Sequence, residues 1–169
     1  MVGHGAGESC VLLREAGLRR VSLTNSQIGS ARYYKGVTLG KTLSSASPNA
    51  LTSVGVGLMP FAPVDSRVTW DGSNNATITW RRRSRLSVRM VGSLGISVPL
   101  GESVEAYEVD ILTDASDPVV LRTITASSET CGYSAADATA DGLTPGLPFN
   151  RRIYQMSSSV GRGYVLEAF

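Results

Sequence analysis

One hairpin decides the fold prediction, and it runs Arg67-Val68-Thr69-Trp70-Asp71-Gly72-Ser73-Asn74-Asn75-Ala76-Thr77-Ile78-Thr79-Trp80. An Asp-Gly pair between two runs rich in β-branched and aromatic residues is the strongest short-range signal of a β-hairpin. In the second run, Ala76, Ile78 and Trp80 alternate with threonines. This period of two predicts a strand with its apolar face turned toward a core.

The chain beyond this hairpin repeats the alternating pattern. Tyr107, Val109 and Ile111 alternate with acidic residues, which predicts a strand with these three side chains facing inward. A later run places Tyr154 and Met156 on one face, and both are expected to point into the core. The predicted strands cover residues 64–70, 75–82, 104–113, 119–126, 131–134, 150–158 and 163–168, while residues 134–141 predict one helical turn. Many short strands separated by turns are typical of an all-β sandwich.

The composition along the chain predicts four parts. Residues 1–9 are Gly-rich and are expected to form a flexible N-terminus. Residues 10–58 predict a small β subdomain or docking segment, with strands at 18–23, 31–40 and 54–58. Two prolines within residues 59–63 predict a linker, because proline fixes the backbone and ends a strand ladder. Residues 64–169 are the predicted sandwich, interrupted by a long insertion at 83–103.

The bulk composition argues against two classes of partner. The formal net charge of +2 over 169 residues is too small for a global attraction to nucleic acid, so no nucleic acid is expected as a partner. No apolar run reaches the ~18 residues that a membrane helix needs, so no membrane segment is expected.

Residues that carry enzyme chemistry are sparse. The single histidine, His4, lies in the expected flexible N-terminus, so neither a nucleophile–histidine pair nor a histidine-containing metal site is predicted. Cys10 and Cys131 lie far apart in sequence and are interpreted as free thiols, with a disulfide as the alternative. We therefore predict no catalytic, cofactor-binding or metal-binding residue, no cofactor, and no enzymatic activity.

Four carboxylates lie close together in sequence at the start of the strand predicted for 104–113. They are Glu102, Glu105, Glu108 and Asp110. Their alternation with apolar residues predicts an exposed acidic strand face. A glycosidase-type carboxylate pair is the alternative interpretation.

A cluster of arginines opens the insertion, and we call it the arginine run: Arg81, Arg82, Arg83, Arg85 and Arg89. Guanidinium groups bind carboxylates in a bidentate manner, so the favoured hypothesis is contact with an acidic partner surface. A solvated loop and a polyanion-binding site remain open as alternatives. Tyr33 and Tyr34 lie in an aromatic, β-branched run and complete the candidate partner interface.

Several blocks of the sequence resemble the C-terminal region of tail tip (baseplate hub) proteins of long-tailed bacteriophages and phage-derived gene transfer agents. The resemblance covers about residues 18–169. The blocks that carry it are Gln27-Ile28-Gly29-Ser30-Ala31-Arg32-Tyr33-Tyr34-Lys35-Gly36-Val37-Thr38-Leu39-Gly40, Gly55-Val56-Gly57-Leu58-Met59-Pro60-Phe61, Val98-Pro99-Leu100-Gly101-Glu102, Glu105-Ala106-Tyr107-Glu108-Val109-Asp110-Ile111, Ile153-Tyr154-Gln155-Met156-Ser157 and Val160-Gly161-Arg162-Gly163-Tyr164.

The resemblance implies a fibronectin type III-like β-sandwich, with Trp80 and Tyr154 as inward aromatic residues. It implies a structural virion protein of the tail tip, assembled in the host cytoplasm, which presents the sandwich at the distal end of the tail. The implied partners are the hub, the tube or distal tail protein and the fibres, with three copies of this chain in the tip.

The alternative function is a carbohydrate- or receptor-binding module for host attachment. In that reading, the insertion and an exposed Tyr33, Tyr34 or Trp70 would form a platform for a host surface glycan.

Overall fold

The computed structural model describes residues 22–37, 39–86 and 98–169. The described strands are β1 (Ala31–Tyr34), β2 (Asn49–Thr52), β3 (Val64–Trp70), β4 (Ala76–Arg81), β5 (Tyr107–Leu112), β6 (Val120–Ala126), β7 (Thr130–Tyr133), β8 (Arg151–Ser157) and β9 (Gly161–Ala168). Helix α1 (Ala135–Ala140) lies between β7 and β8, and short 3-10 helices span Asn25–Gln27, Leu43–Ser45 and Val56–Leu58. Within these ranges, no helix has the length and apolar character needed to span a membrane.

The strands from β3 onward form two antiparallel sheets. One sheet has the order β3-β4-β7, and the other has the order β6-β5-β8-β9. This arrangement of three and four strands is a fibronectin type III-like sandwich, and it confirms the predicted all-β fold class. Both inner faces contribute to one core, in which Ile78 and Trp80 from β4 meet Val109 and Ile111 from β5.

The predicted β3–β4 hairpin is present, but its loop spans residues 71–75 and is longer than a two-residue Asp-Gly turn. The Asp71 backbone N–H donates to the Asn75 carbonyl over 3.0 Å, which closes a longer loop. One Asp71 carboxylate oxygen accepts from the backbone N–H groups of Ser73 and Asn75 at 2.8 and 2.9 Å. The other oxygen accepts from the Asn75 side-chain amide at 2.9 Å. These hydrogen bonds, and first among them the one from the Asn75 side chain, hold the pKa of the Asp71 carboxyl below its usual range.

Both predicted core faces of the central strands β4 and β5 are confirmed. The residues predicted to face inward are buried, namely Ala76, Ile78, Trp80, Tyr107, Val109 and Ile111. The rings of Trp80 and Tyr107 meet edge to face with centroids 5.2 Å apart, a favoured geometry for aromatic pairs. The core is therefore centred where the two sheets bring these aromatic residues together.

The prediction that Tyr154 and Met156 face the core is wrong. In β8 the buried positions are Arg151, Ile153, Gln155 and Ser157, so the inward face is the other one. The Tyr154 ring instead lies on the outer face, where the Arg162 guanidinium stacks 4.4 Å from its centroid. A cation over the aromatic face gives Tyr154 a favourable place outside the core.

Helix α1 forms where the sequence predicts one helical turn, and hydrogen bonds join it to both sheets. Ser134 caps the helix, because its side-chain oxygen accepts from the Asp137 backbone N–H. Arg122 of β6 donates to both carboxylate oxygens of Asp141, at 2.7 and 3.0 Å, and the Tyr133 hydroxyl donates to the same carboxylate. The β6 edge, β7 and the end of α1 are thus connected through one carboxylate.

Residues 22–58 contain less strand than the sequence predicts. β1 ends at Tyr34, well before residue 40, and pairs antiparallel with β2. The predicted strand at 54–58 is wrong, because Gly55 adopts a left-handed conformation with φ 67° and a 3-10 helix follows it. The predicted flexible residues 1–9 and most of the predicted strand at 18–23 lie outside the described residues.

The predicted linker at 59–63 lies against the sandwich. Pro60 and Pro63 are fully buried, and the Pro60 carbonyl accepts from the Tyr164 backbone N–H of β9 at 2.9 Å. Gly163 permits this approach, since a Cβ at that position would lie 2.6 Å from the Pro60 carbonyl oxygen. The segment therefore covers part of the β9 edge.

Candidate interaction surfaces

Arg82 is anchored inside the chain. Its Nη1 donates to Glu105 Oε1 at 2.8 Å, and its Nε donates to the Val98 carbonyl at 2.8 Å. Its backbone N–H donates to Glu129 Oε1 at 2.6 Å. Only 14% of the Arg82 side chain is exposed. Arg82 therefore joins the end of β4 to the segment that leads into β5 and to the loop before β7.

Arg83 and Arg85 reach back toward the segment before the sandwich. Arg83 Nε donates to the Ala62 carbonyl at 2.7 Å, and its guanidinium lies 5.5 Å from the Phe61 ring centroid. Arg85 donates to Glu102 Oε1 through Nη2 at 2.6 Å and to the Gly57 carbonyl through Nη1 at 3.2 Å. The two side chains thus tie residues 57–62 to the base of the insertion.

The remaining members of the arginine run differ in position. Arg81 is exposed at the end of β4, and Arg89 lies outside the described residues. Three of the four described members, Arg82, Arg83 and Arg85, therefore donate side-chain hydrogen bonds to other parts of this chain. Arg81 is the member that the described structure leaves most open to a partner.

The prediction of an exposed acidic face at the start of β5 is wrong. Asp110 is 1% exposed, and only 6% of the Glu102 side chain is exposed. Arginines that lie far away in sequence cover the four carboxylates. Arg82 pairs with Glu105, Arg85 with Glu102, and Arg162 with both Glu108 and Asp110.

Tyr33 and Tyr34 are both in β1, and as neighbours in a strand they point to opposite faces. Tyr33 lies opposite Ala50 and Tyr34 lies opposite Asn49 in the two-stranded ribbon formed with β2. Tyr33 is 71% exposed, whereas Tyr34 is 36% exposed. The structure therefore does not bring the two rings together on a single platform.

Large apolar side chains within residues 22–58 are exposed, and every residue of β2 is exposed as well. A two-stranded ribbon is marginally stable on its own, and exposed apolar surface on this scale marks interaction sites. We define the ribbon surface as the six most exposed large apolar residues of this part: Tyr33, Leu39, Leu43, Leu51, Val54 and Val56.

A polar cluster that the sequence analysis missed lies on the outer face of the four-stranded sheet. Arg162 donates to both oxygens of the buried Asp110, at 2.7 and 2.9 Å, and to Glu108 Oε2 at 2.6 Å. Thr123 also donates to Asp110, at 2.6 Å. The hydrogen bonds to Asp110 are the main reason that the pKa of the Arg162 guanidinium is raised. Every charged partner in this cluster is satisfied internally, which indicates a structural role.

Arg151 is a second polar residue that sequence reasoning missed. It is buried at the start of β8, and its hydrogen bonds within the described residues go to Ser66 and to the Phe149 carbonyl rather than to a carboxylate. Its Nε donates to the Ser66 hydroxyl at 2.8 Å, and its guanidinium lies 5.9 Å from the Phe149 ring centroid. Burial lowers the pKa of this guanidinium. The residue ties β8 to β3 across the sandwich.

The described residues contain no group of three or more His, Cys, Asp or Glu side chains that could hold a metal ion. Cys131 in β7 is half-buried, and burial raises the pKa of its thiol to about 11. A raised pKa disfavours the reactive thiolate near neutral pH. Cys10 lies outside the described residues, so the interpretation of the two cysteines as free thiols stays a prediction.

Comparisons with known proteins give structural similarity without sequence similarity. No protein-family model matches the chain, and no curated protein matches its sequence. The extracellular region of rat CD45, domains d3-d4, aligns over 99% of this chain and 78% of that chain, with 10% identity and a TM-score of 0.41.

Two single domains also align. A human protein's fourth FNIII domain aligns over 65% of this chain and 75% of that chain, with 19% identity and a TM-score of 0.40. The FN5 domain of Drosophila Lar aligns over 64% of this chain and 96% of that chain, with 13% identity and a TM-score of 0.34. At such scores, the assignment of the fibronectin type III-like fold rests on the strand order of the two sheets.

Proposed function

We propose that this chain is a non-enzymatic structural component of a bacteriophage tail tip. It docks on neighbouring hub, tube or distal tail subunits through the ribbon surface, and it presents the fibronectin type III-like sandwich away from them. The observation that carries this proposal is the exposure of the ribbon surface, because a ribbon of two short strands has no core of its own.

The energetics of the ribbon surface support docking. Burying one Leu or Val side chain yields about 1.5–3 kcal/mol, so a partner that covers several of these residues gains substantial free energy. Leu43 and Leu51 lie in short segments of regular structure, and both are well exposed. A surface that already has backbone order loses less entropy on binding than a disordered segment.

The sequence resemblance supports the same location. Two of its blocks, 27–40 and 55–61, flank or contain members of the ribbon surface. In this proposal the tip contains three copies of the chain together with hub and fibre proteins, and the protein reaches its place in the virion after assembly in the host cytoplasm.

The rival function, binding of a host surface glycan, has less support. Sugar rings stack on exposed aromatic faces, but Tyr33 and Tyr34 lie on opposite faces of the ribbon. Tyr33 is well exposed and can stack on a sugar ring, while Trp70, 37% exposed, lies at the end of β3 in a different sheet.

The test uses tails that carry variants of this chain. Tyr33→Ser combined with Leu51→Ser should lower the number of copies per purified tail, measured by quantitative mass spectrometry, because it removes one exposed apolar anchor from each face of the ribbon. The matched control is Leu147→Ser combined with Phe169→Ser, which removes two large apolar residues that are exposed on the sandwich. Normal incorporation of the ribbon variant would contradict docking through the ribbon surface. Normal incorporation together with lost adsorption to host cells would favour the glycan-binding function.

A further inference from the structure

The charges of this chain are divided unevenly between the ribbon and the sandwich. Residues 22–64, which contain the ribbon, include three basic residues, Arg32, Lys35 and Lys41, and no aspartate or glutamate. Residues 65–169 contain twelve acidic and ten basic residues, so their charges nearly balance. Surfaces that bind each other carry complementary charges, so a purely cationic ribbon part favours a partner surface of negative charge.

Each of the three cations lies beside a member of the ribbon surface. Arg32 of β1 is directly opposite Leu51 of β2, so the two side chains are on the same face of the ribbon. Lys35 Nζ donates to the Leu43 carbonyl at 3.3 Å, which holds the ammonium group against the short 3-10 helix that begins there. Lys41 precedes Leu43 by two residues. Positive charge and exposed apolar surface therefore occur together.

Lys35 and Lys41 are both exposed and open to a partner. An ammonium group has three N–H donors, so the Lys35 group keeps two after its hydrogen bond to Leu43. Lys41 lines an open depression together with Gly36, Val37, Ser45 and Ala46. Within the ranges that the structure describes, every ion pair uses an arginine other than Arg32, and neither lysine takes part in one.

We propose that the ribbon surface binds a carboxylate-rich surface of a neighbouring tail tip protein. Aspartates or glutamates of that partner pair with Lys35 and Lys41, while its apolar side chains cover the ribbon surface. This inference rests on the proposed function, and it adds the chemistry of the partner to the location of the contact.

The apolar contacts supply most of the affinity, and the cations select the partner. Exposed ion pairs contribute little to affinity, but like charges placed across an interface strongly disfavour a wrong partner. The arginine run does not make this selection through Arg82 or Arg85, because both already pair with carboxylates of this chain. The acidic partner surface that the sequence favours for the arginine run is thus assigned to the lysines of the ribbon part.

An anionic lipid surface is the other occupant that basic and apolar side chains together can suit. Two observations favour a protein. Tyr33 and Leu51 lie on opposite faces of the ribbon, so a planar membrane surface cannot cover both, whereas a groove in a protein can. Polybasic segments that bind anionic lipids carry about 4–8 Lys or Arg, and the ribbon part has three basic residues.

Carbodiimide crosslinking of purified tails tests the contact directly. The reagent joins an amine to a carboxylate as an amide with loss of water, and Lys35 and Lys41 are the only lysines in the sequence. Mass spectrometry should find one or both joined to an aspartate or glutamate of another tail tip protein. In the control, Lys35→Arg combined with Lys41→Arg keeps the charge but removes both side-chain amines. It should abolish these crosslinks and leave the number of copies per tail unchanged.

Charge reversal gives a second measurement. Lys35→Glu combined with Lys41→Glu should lower the number of copies per tail about tenfold, because like charges then face each other. The matched control, Arg67→Glu with Arg152→Glu, makes the same change of charge on the sandwich and should be incorporated normally. Thermal unfolding of each purified variant shows whether it is folded, so that lost incorporation is assigned to the contact and not to the fold.

The outcomes separate this inference from the proposed function. Normal incorporation of the variant with Tyr33→Ser and Leu51→Ser contradicts docking through the ribbon surface altogether. Loss of that variant together with normal incorporation of the Glu variant overturns the acidic partner alone, as do crosslinks confined to carboxylates of this chain. Binding of the whole chain to phosphatidylglycerol vesicles but not to phosphatidylcholine vesicles, without crosslinks in tails, overturns it in favour of a lipid surface.

Discussion

Replacing Arg82 by Ser should destabilise the sandwich, whereas the same change at the adjacent Arg81 should be nearly neutral. The Arg82 guanidinium makes two hydrogen bonds of 2.8 Å, one to Glu105 and one to the Val98 carbonyl, and only 14% of its side chain is exposed. Hydrogen bonds to charged groups contribute about 1.5–3 kcal/mol each. Glu105 keeps the hydrogen bond from the Tyr107 hydroxyl and is partly open to water, so the sum must be reduced. We expect a loss of about 2–4 kcal/mol for Arg82→Ser.

Arg81 is the matched control, because it has the same side chain one position earlier and is exposed at the end of β4. Its replacement by Ser should change the free energy of unfolding by less than about 0.5 kcal/mol. For a chain of this length, 1 kcal/mol corresponds to a shift in Tm of about 2–4 °C, so a loss of about 2–4 kcal/mol in Arg82→Ser should lower Tm by roughly 4–16 °C. Arg82→Lys keeps the charge but loses the planar fork and should fall between the two.

Thermal unfolding followed by circular dichroism provides the measurement. Equal Tm values for Arg81→Ser and Arg82→Ser would refute the reasoning, because they would mean that the contacts of Arg82 add nothing that the solvated Arg81 lacks. An Arg82→Lys variant as stable as the parent chain would show that charge alone, without the second hydrogen bond, accounts for the effect.

Three further predictions concern single residues. Ile153→Ala should lower the free energy of unfolding in urea by about 3–4 kcal/mol, because Ile153 is fully buried. Tyr154→Ala should lower it by about 1–2 kcal/mol, because Tyr154 lies under Arg162 on the outer face, and the reverse order would contradict the assigned faces of β8. Cys131, whose thiol pKa is raised to about 11 by burial, should react with a thiol reagent at pH 8 much more slowly in the native chain than in urea, and equal rates would show an accessible thiolate. The Arg122 hydrogen bonds lower the pKa of the Asp141 carboxyl in the folded state, so its stabilising contribution is complete above the ordinary value of 3.8 and is lost as the pH falls through the lower folded value. Asp141→Asn should therefore flatten the acid side of the stability curve measured between about pH 2 and 6, and an unchanged slope would contradict this coupling.

The sequence predicted the faces of β4 and β5 correctly because polarity and burial agree there. In β4, Ile78 and Trp80 alternate with threonines, and the threonines are exposed. β8 reverses the rule, since its inward face includes Gln155 and its outward face includes Tyr154. Alternation divides the residues of β8 between two faces but does not say which face is buried. The deciding contact is made by Arg162 of the neighbouring strand β9, which stacks on Tyr154.

The roles of the arginine run could not be read from local sequence. Glu105 lies 23 residues after Arg82, on the other side of the insertion, and Ala62 lies 21 residues before Arg83. A run of like charges usually indicates a solvated surface, and only the folded path of the chain brings each guanidinium to its acceptor. The same reason explains Asp110, whose partner Arg162 lies 52 residues away. The spacing correctly put Glu108 and Asp110 on the face of β5 opposite Tyr107, but the predicted exposure of that face was wrong, because spacing carries no information about what covers it.

The arginine run fixes the segment that follows the ribbon surface. The Gly57 carbonyl accepts from Arg85 and the Ala62 carbonyl accepts from Arg83, so residues 55–63 are held against the base of the insertion. On the opposite flank, a Cβ at Gly55 would lie 2.7 Å from Val160 Cγ1, so the backbone there packs directly on the β8–β9 turn. A segment fixed at several points along nine residues has little freedom to swing. β2 leads directly into this fixed segment, so a partner that binds the ribbon surface is coupled mechanically to the sandwich. The internal use of the arginines thus serves the proposed docking function by fixing the segment that carries the ribbon, without any guanidinium having to touch the partner.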